Sequence, residues 1–161
     1  MALFNEPTAT REELEAYIGK AAKTPYYKKV LDTYMENPNK PIWCWPAFLI
    51  SFFWFCYRKA TIPTILLILV YLALYAYALV SLPLFIGLLL LVSVMVGLFG
   101  INIYLSNAEK EIARIKEHFI GLGDERKLEA IKKRGGASSK YPVILYIFIA
   151  IIYLAFIFTH K

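Results

Sequence analysis

The fold is decided by residues 61–106, which read TIPTILLILVYLALYAYALVSLPLFIGLLLLVSVMVGLFGINIYLS. This run contains no Asp, Glu, Lys, Arg or His, and it is about twice as long as the roughly 20 apolar residues that one helix needs to cross a bilayer. Ser81-Leu82-Pro83 interrupts it near the middle, where a proline suits the first turn of a new helix. The run therefore predicts a transmembrane hairpin within residues 60–106, with helices over about 61–80 and 84–106.

The C-terminal segment, residues 141–161, contains a second apolar run that ends at Thr159 and again matches one bilayer thickness. The apolar fraction of the whole chain is 59%, above the roughly 45–50% of soluble domains. A chain of 161 residues that holds three such helices leaves little room for a separate catalytic domain. We therefore predict an all-α membrane protein with a third transmembrane helix after the hairpin.

The segment 42–59 is too short and too aromatic for an ordinary transmembrane helix. As a helix it would be about 22 Å long, less than the roughly 30 Å hydrocarbon core, and its Trp and Tyr rings favour the headgroup interface. We predict a short interfacial or re-entrant helix that starts at Pro46 and is held at the surface by Arg58 and Lys59. The alternative is a fourth, thin membrane helix, which would place the N-terminus on the other side.

The N-terminal segment 1–41 has the signals of a helical hairpin. Thr10 and Glu13 have the spacing of a capping box, and Thr24 followed by Pro25 is typical of a second helix start. The apolar residues of the two helices are Leu14, Tyr17, Ile18 and Ala21, then Tyr27, Val30, Leu31 and Tyr34. Each set follows the spacing of one helical face and needs a partner to cover it.

Residues 107–140 continue with amphipathic helices. Ser106 and Glu109 have the spacing of another capping box, which predicts a new helix at this point. Its apolar stripe contains Ala108, Ile112, Ile115, Phe119 and Ile120. A short basic helix capped by Asp124 follows, and the Gly/Ser-rich residues 134–139 are interpreted as a flexible link.

The charge distribution predicts the topology. Residues 1–41 carry six Lys and Arg, residues 107–140 carry nine, and the turn at Ser81 carries none. The positive-inside rule therefore places the first two segments in the cytoplasm, with Ser81 and His160 across the membrane. An even number of crossings must separate the two cytoplasmic segments, which leaves 42–57 as a segment that does not span.

Metal and cofactor chemistry are not expected. Cys44 and Cys56 would lie about 18 Å apart along a helix, too far for a disulfide, and His118 and His160 are isolated. The net charge of +6 is explained by basic residues that flank the apolar runs and contact anionic lipid headgroups, so nucleic acid is not an expected partner.

Three motifs occur in a fixed order. They are the aromatic segment that ends in Tyr57-Arg58-Lys59, Asn102-Ile103-Tyr104 at the end of the hairpin, and Gly135-Gly136-Ala137-Ser138. Together they resemble the bacterial membrane domain-of-unknown-function family 2628 over roughly residues 40–139. The chain departs from that family at Ala137, where Thr is usual, at Ser51, where Gly is common, and in the added helix from Tyr141.

The resemblance implies a bacterial inner-membrane location and an architecture, but no reaction. The family residues present here are Trp45, Phe48, Tyr57, Arg58, Lys59, Asn102, Tyr104, Gly135 and Gly136. With Lys132, Lys133 and Arg134, the first seven form the candidate surface for lipid or partner contact. Asn102 is expected to reach water near the cytoplasmic end of its helix, in preference to a bond with another helix.

Ser93, Gly97 and Gly100 lie on one face of their predicted helix, where small side chains allow a close helix contact. The membrane segments contain no ionisable group, and no nucleophile–base set appears, so an enzyme is not expected. The leading hypothesis is a scaffold or accessory subunit that binds a partner protein through its cytoplasmic helices, or associates with itself. The alternative is an oligomeric transporter or lipid-moving protein.

Overall fold

The computed structural model describes residues 4–78, 81–121 and 123–159, with side chains other than those of 76–78 and 152–159. This part of the chain is helical and contains no strand. Its α-helices are α1 (Arg11–Ile18), α2 (Pro25–Glu36), α3 (Trp45–Tyr57), α4 (Thr61–Ala78), α5 (Leu82–His118), α6 (Asp124–Arg134) and α7 (Lys140–Thr159). A 3-10 turn, Gly19–Lys23, joins α1 to α2.

The first two helices begin where their capping residues predict. The Thr10 hydroxyl accepts a hydrogen bond from the Glu13 backbone N–H, and the Glu13 carboxylate accepts one from the Thr10 N–H. The Thr24 hydroxyl likewise accepts from the N–H of Tyr27, with Pro25 in the first helical turn. Both predicted caps are confirmed, because each satisfies backbone donors that the first turn of a helix leaves free.

α5 is a single helix of 37 residues that continues through the predicted second capping box. The new helix predicted at Ser106 is therefore wrong. No Gly or Pro lies between Gly100 and Gly121, so nothing interrupts the helix. Glu109 instead accepts from the Thr8 backbone N–H, at 3.0 Å, and from the Tyr34 hydroxyl, at 3.1 Å.

Within the described residues, α5 is the one helix that is long and apolar enough to cross a membrane. Shorter apolar helical stretches cover Trp45–Tyr57, Thr61–Tyr75 and Lys140–Ile151. α4 packs against α5, as a hairpin requires, and α5 begins just after Ser81. Residues 79–80 at the end of the first predicted transmembrane helix, and His160 beyond the last one, lie outside the described residues.

α3 occupies the centre of the apolar helices, where it packs against α4, α5 and α7. It begins at Trp45, one residue before the predicted start, and Pro46 lies in its first turn. The helix is kinked at Ser51, whose φ of 40° lies in a region that residues other than glycine rarely adopt. An extended strap, residues 42–44, precedes it and donates from Ile42 to Leu98 O and from Cys44 to Gly97 O, at 3.1 and 2.8 Å.

The remaining helices form the polar unit, which consists of α1, α2, α6 and residues 104–118 of α5. Its buried apolar side chains include Leu14, Tyr17, Ile18, Val30, Leu31, Tyr34, Ala108, Ile112 and Ile131. These are the stripes that the sequence pattern leaves in need of a partner. The helices of the polar unit cover one another, so most of these apolar faces are already buried within this chain. The end of the predicted stripe is an exception, because α5 ends at His118 and Ile120 beyond it is exposed.

Candidate functional site

The loop before α3 and Arg58 after it meet α5 within one helical turn of each other, at Asn102 and Tyr104. This region, formed by Tyr57, Arg58, Lys59, Asn102 and Tyr104, is called the junction. Asn102 is fully buried, and its amide nitrogen donates to the carbonyl oxygens of Pro38 and Lys40, at 2.8 and 2.9 Å. The expectation that Asn102 reaches water is wrong, because the loop before α3 folds over it and supplies carbonyl acceptors. Asn102 thus fastens the chain that leads into α3.

Arg58 lies at the other end of α3 and is buried among tyrosine rings. Its guanidinium carbon is 4.8 Å from the ring centre of Tyr27, 5.7 Å from that of Tyr104 and 6.0 Å from that of Tyr57, and it donates to the Tyr27 hydroxyl. The expected position of Arg58 beside lipid phosphates is therefore wrong. Cation–π contacts hold it inside the protein.

Burial also acts on the tyrosine that faces Arg58. Removal of the Tyr27 ring from water raises its pKa to about 12, while the Arg58 charge acts in the opposite direction. Tyr104 packs against Tyr17 and Trp54, at ring-centre distances of 6.2 and 5.6 Å, and is fully buried. Neither Tyr104 nor Asn102 can therefore serve as the lipid-contacting residue that the sequence predicts.

Gly135 and Gly136 attach the chain after α6 to this junction. The N–H of Gly136 donates to Tyr17 O at 2.6 Å, Lys59 Nζ donates to Gly135 O at 2.7 Å, and the N–H of Ser138 donates to Tyr57 O at 2.9 Å. The predicted flexible link is thus a docked segment. Its carbonyl and amide groups meet complementary groups of α1 and α3, which chain composition alone does not reveal.

The remaining predicted contact residues are more exposed than Asn102 and Tyr104. Trp45 is 63% exposed and packs edge-on to Trp43, and Phe48 is half-buried between them and α5. Gly97 and Gly100 face this part of α3: a Cβ on Gly97 would lie 2.9 Å from the Phe48 Cβ, and one on Gly100 would lie 3.0 Å from the Ala47 Cβ. Ser93, one turn before Gly97, is half-buried.

A pocket of about 290 Å³ opens beside the junction, between the first turns of α4 and α7 and the end of α6. We call it the basic slot. Its lining residues are Cys56, Lys59, Thr61, Thr64, Ile65, Lys133, Arg134 and Tyr141. The sequence predicts the three cations of the slot but not its two threonines or Tyr141, although Thr61 and Thr64 lie in the turn that directly follows Lys59.

A second opening, the lysine cleft, has a volume of about 430 Å³ and lies between α1, the 3-10 turn, α2 and α6. Its charged lining residues are Lys20, Lys23, Lys28, Lys132, Glu12 and Glu15. Glu15 already pairs with Arg11 at 3.0 Å. The sequence pattern does not reveal this cleft, because the lysines come from separate elements that only folding brings together.

Among the described residues, no group of three or more His, Cys, Asp or Glu side chains could hold a metal ion. No family model, curated protein or solved structure matches the chain. The resemblance to domain-of-unknown-function family 2628 therefore stays a prediction. The geometry shows that its three motifs lie together: Lys59 binds Gly135, and Arg58 packs on Tyr104.

Proposed function

We propose that this chain is a small multi-pass protein of the bacterial inner membrane that acts without catalysis, as an accessory subunit that binds a partner protein through its cytoplasmic helices. The lysine cleft is the observation that carries this proposal. Most residues of the apolar stripes are covered within the chain, although Ile120 is exposed. A partner would therefore bind mainly the charged surface of the polar unit. Four lysines against two glutamates favour an acidic partner surface.

The contacts of α3 support the proposed topology. The loop before it binds Asn102, and Arg58 after it packs on Tyr104, so the chain enters and leaves at the same level of α5. The 13 residues of α3 extend only about 20 Å, against a hydrocarbon core of roughly 30 Å. We therefore propose that α3 is re-entrant and that α4, α5 and α7 cross the membrane.

Contacts within the polar unit support the placement of all its helices on one side of the membrane. Glu109 of α5 binds the backbone at Thr8, and Lys116 pairs with Glu13 of α1. These contacts support the proposal that the N-terminal helices lie on the same side of the membrane as the end of α5. The excess of Lys and Arg in both segments favours the cytoplasm as that side.

A charge-reversal experiment tests partner binding. Lys20→Glu with Lys23→Glu changes the lysine cleft, whereas Lys29→Glu with Lys110→Glu makes the same charge change at exposed sites outside it. Complexes purified from native membranes in mild detergent should lose the partner only in the cleft variant. Recovery of the chain alone from wild type, or equal recovery of the partner from both variants, would contradict the proposal.

The alternative of an oligomeric transporter or lipid-moving protein needs a polar path among the apolar helices. The Tyr71 hydroxyl of α4 donates to the Ser51 hydroxyl at the kink of α3, at 2.9 Å. This pair satisfies its own polar groups within the bundle and is explained by packing. Flux or scrambling in liposomes that contain only this protein would favour the alternative.

A further inference from the structure

The basic slot has the charge of an anion site. Lys59, Lys133 and Arg134 supply three cations, and no Asp or Glu belongs to the lining. Lys59 uses one of its three ammonium protons on Gly135 O, which leaves two for a ligand. Lys133 forms no ion pair within the described part of the chain, and Arg134 contacts Glu111 through Nε at 2.9 Å, which leaves its terminal nitrogens available.

The apolar side of the slot indicates what kind of anion fits. Ile65 of α4 and Tyr141 of α7 line it and are each 52% exposed. Farther along the same two helices, Leu66 and Ile144 are also exposed, and both helices pack on α3. A free phosphate ion gains nothing from such a surface, whereas the acyl chains of a phospholipid do.

We propose that the basic slot binds the phosphate of an anionic phospholipid, with the acyl chains along the exposed faces of α4 and α7. The proposal rests on the proposed membrane placement of these helices. The volume of about 290 Å³ is near the lower limit of ligand pockets, which suits a headgroup. Lys59 and Arg134 bind the phosphate, and the lipid thereby bridges α4, α6 and α7.

The test uses the full chain in detergent, with phosphatidylglycerol and phosphatidylcholine of identical acyl chains added in equal amounts and bound lipid counted by native mass spectrometry. Wild type should prefer phosphatidylglycerol. Lys133→Gln with Arg134→Gln should weaken its binding by on the order of tenfold. The matched control, Arg126→Gln with Lys132→Gln, removes two charges from the same helix outside the slot and should keep the preference.

Equal loss in both double variants would overturn the proposal, because it would show a diffuse attraction instead of a site. Inorganic phosphate that displaces phosphatidylglycerol at comparable concentration would overturn the assignment to a lipid. Alkaline washing of native membranes distinguishes a failure of the lipid site from a failure of the proposed membrane placement. A washed-out wild type contradicts the membrane placement, whereas a retained wild type without lipid preference contradicts the slot alone.

Discussion

Gly135 lies where the fold leaves no room for a side chain. A Cβ at this position would lie 2.1 Å from the carbonyl oxygen of Tyr17. The backbone of α1 occupies that space and cannot move without breaking its own helix. Gly135 therefore permits the close approach that lets Gly136 bind Tyr17 O and Lys59 bind Gly135 O.

Gly135→Ala should accordingly lower the free energy of unfolding by about 3 kcal/mol, the upper part of the usual range for overpacking. Gly123→Ala is the matched control, because a Cβ there meets no atom within 4 Å. Thermal unfolding in detergent, followed by circular dichroism, measures both. Equal melting temperatures for the two variants would show that the segment after α6 is not docked.

Arg58 depends on the shape of its guanidinium as well as on its charge. The flat group packs against the rings of Tyr27 and Tyr104, and a lysine ammonium cannot reproduce this contact. Arg58→Lys should cost about 1–2 kcal/mol of unfolding free energy, whereas Arg126→Lys at an exposed site should cost almost nothing. Chemical denaturation of the solubilised variants measures these differences. An Arg58→Lys variant as stable as wild type would contradict the packing of the guanidinium on the tyrosine rings.

The sequence predicts which residues of the junction matter but not what they contact. Arg58 and Lys59 follow an aromatic segment, as membrane-surface anchors do. Their positive charge does not distinguish a side chain that faces lipid headgroups from one that binds groups inside the protein. The partners of Arg58 are Tyr27 and Tyr104, which are distant in the sequence. Burial of Asn102 is hidden for the same reason, because its acceptors come from a loop more than sixty residues earlier.

At the scale of elements, a capping-box pattern predicts a helix start correctly where no helix precedes it. The box at Thr10 follows an irregular segment and caps α1, whereas the same spacing at Ser106 falls inside α5. A capping pattern does not end the preceding helix by itself. Near Ser106 no Gly or Pro interrupts α5, and the Glu109 carboxylate accepts from Thr8 N–H and the Tyr34 hydroxyl. The length and aromatic content of α3, in contrast, predict a short helix correctly.

The contact between α3 and α5 depends on Gly97. A Cβ there would lie 2.9 Å from the Phe48 Cβ and 3.0 Å from the Trp43 ring. Gly97→Leu should therefore destabilise the protein by about 3 kcal/mol, whereas Gly87→Leu, on the same helix with no neighbour within 4 Å, should be neutral. Leu90→Ala, on an exposed side, should also be mild. Equal detergent melting of all three variants would contradict this contact.

At the scale of the whole molecule, the buried tyrosines make the polar unit sensitive to alkaline pH. Burial raises the pKa of Tyr17 and of Tyr27 from 10.0 to about 12. The folded chain thus holds these protons more tightly than the unfolded chain. The contribution of these two tyrosines to stability should be constant below pH 10.0 and should be lost as the pH rises towards about 12, because ionisation then favours the unfolded chain.

Denaturation at a series of pH values, with tyrosinate absorbance recorded in parallel, measures this dependence. Tyr17→Phe should remove part of the alkaline loss and not all of it, because burial also raises the pKa of Tyr27 and of Tyr34. Ionisation of all tyrosines near their ordinary pKa, in a chain that remains folded, would contradict the burial of Tyr17.

The central claim is that the chain enters and leaves the membrane on one side around α3, with the polar unit entirely in the cytoplasm. Single cysteines at Lys20, Glu125 and Leu82, in a chain with Cys44 and Cys56 replaced by alanine, test it by labelling intact cells with an impermeant reagent. Leu82→Cys should react from outside, and Lys20→Cys and Glu125→Cys only after the membrane is opened. Labelling of Lys20→Cys in intact cells, while Glu125→Cys stays protected, would establish a fourth crossing and contradict the contacts of α1 with α5 and α6.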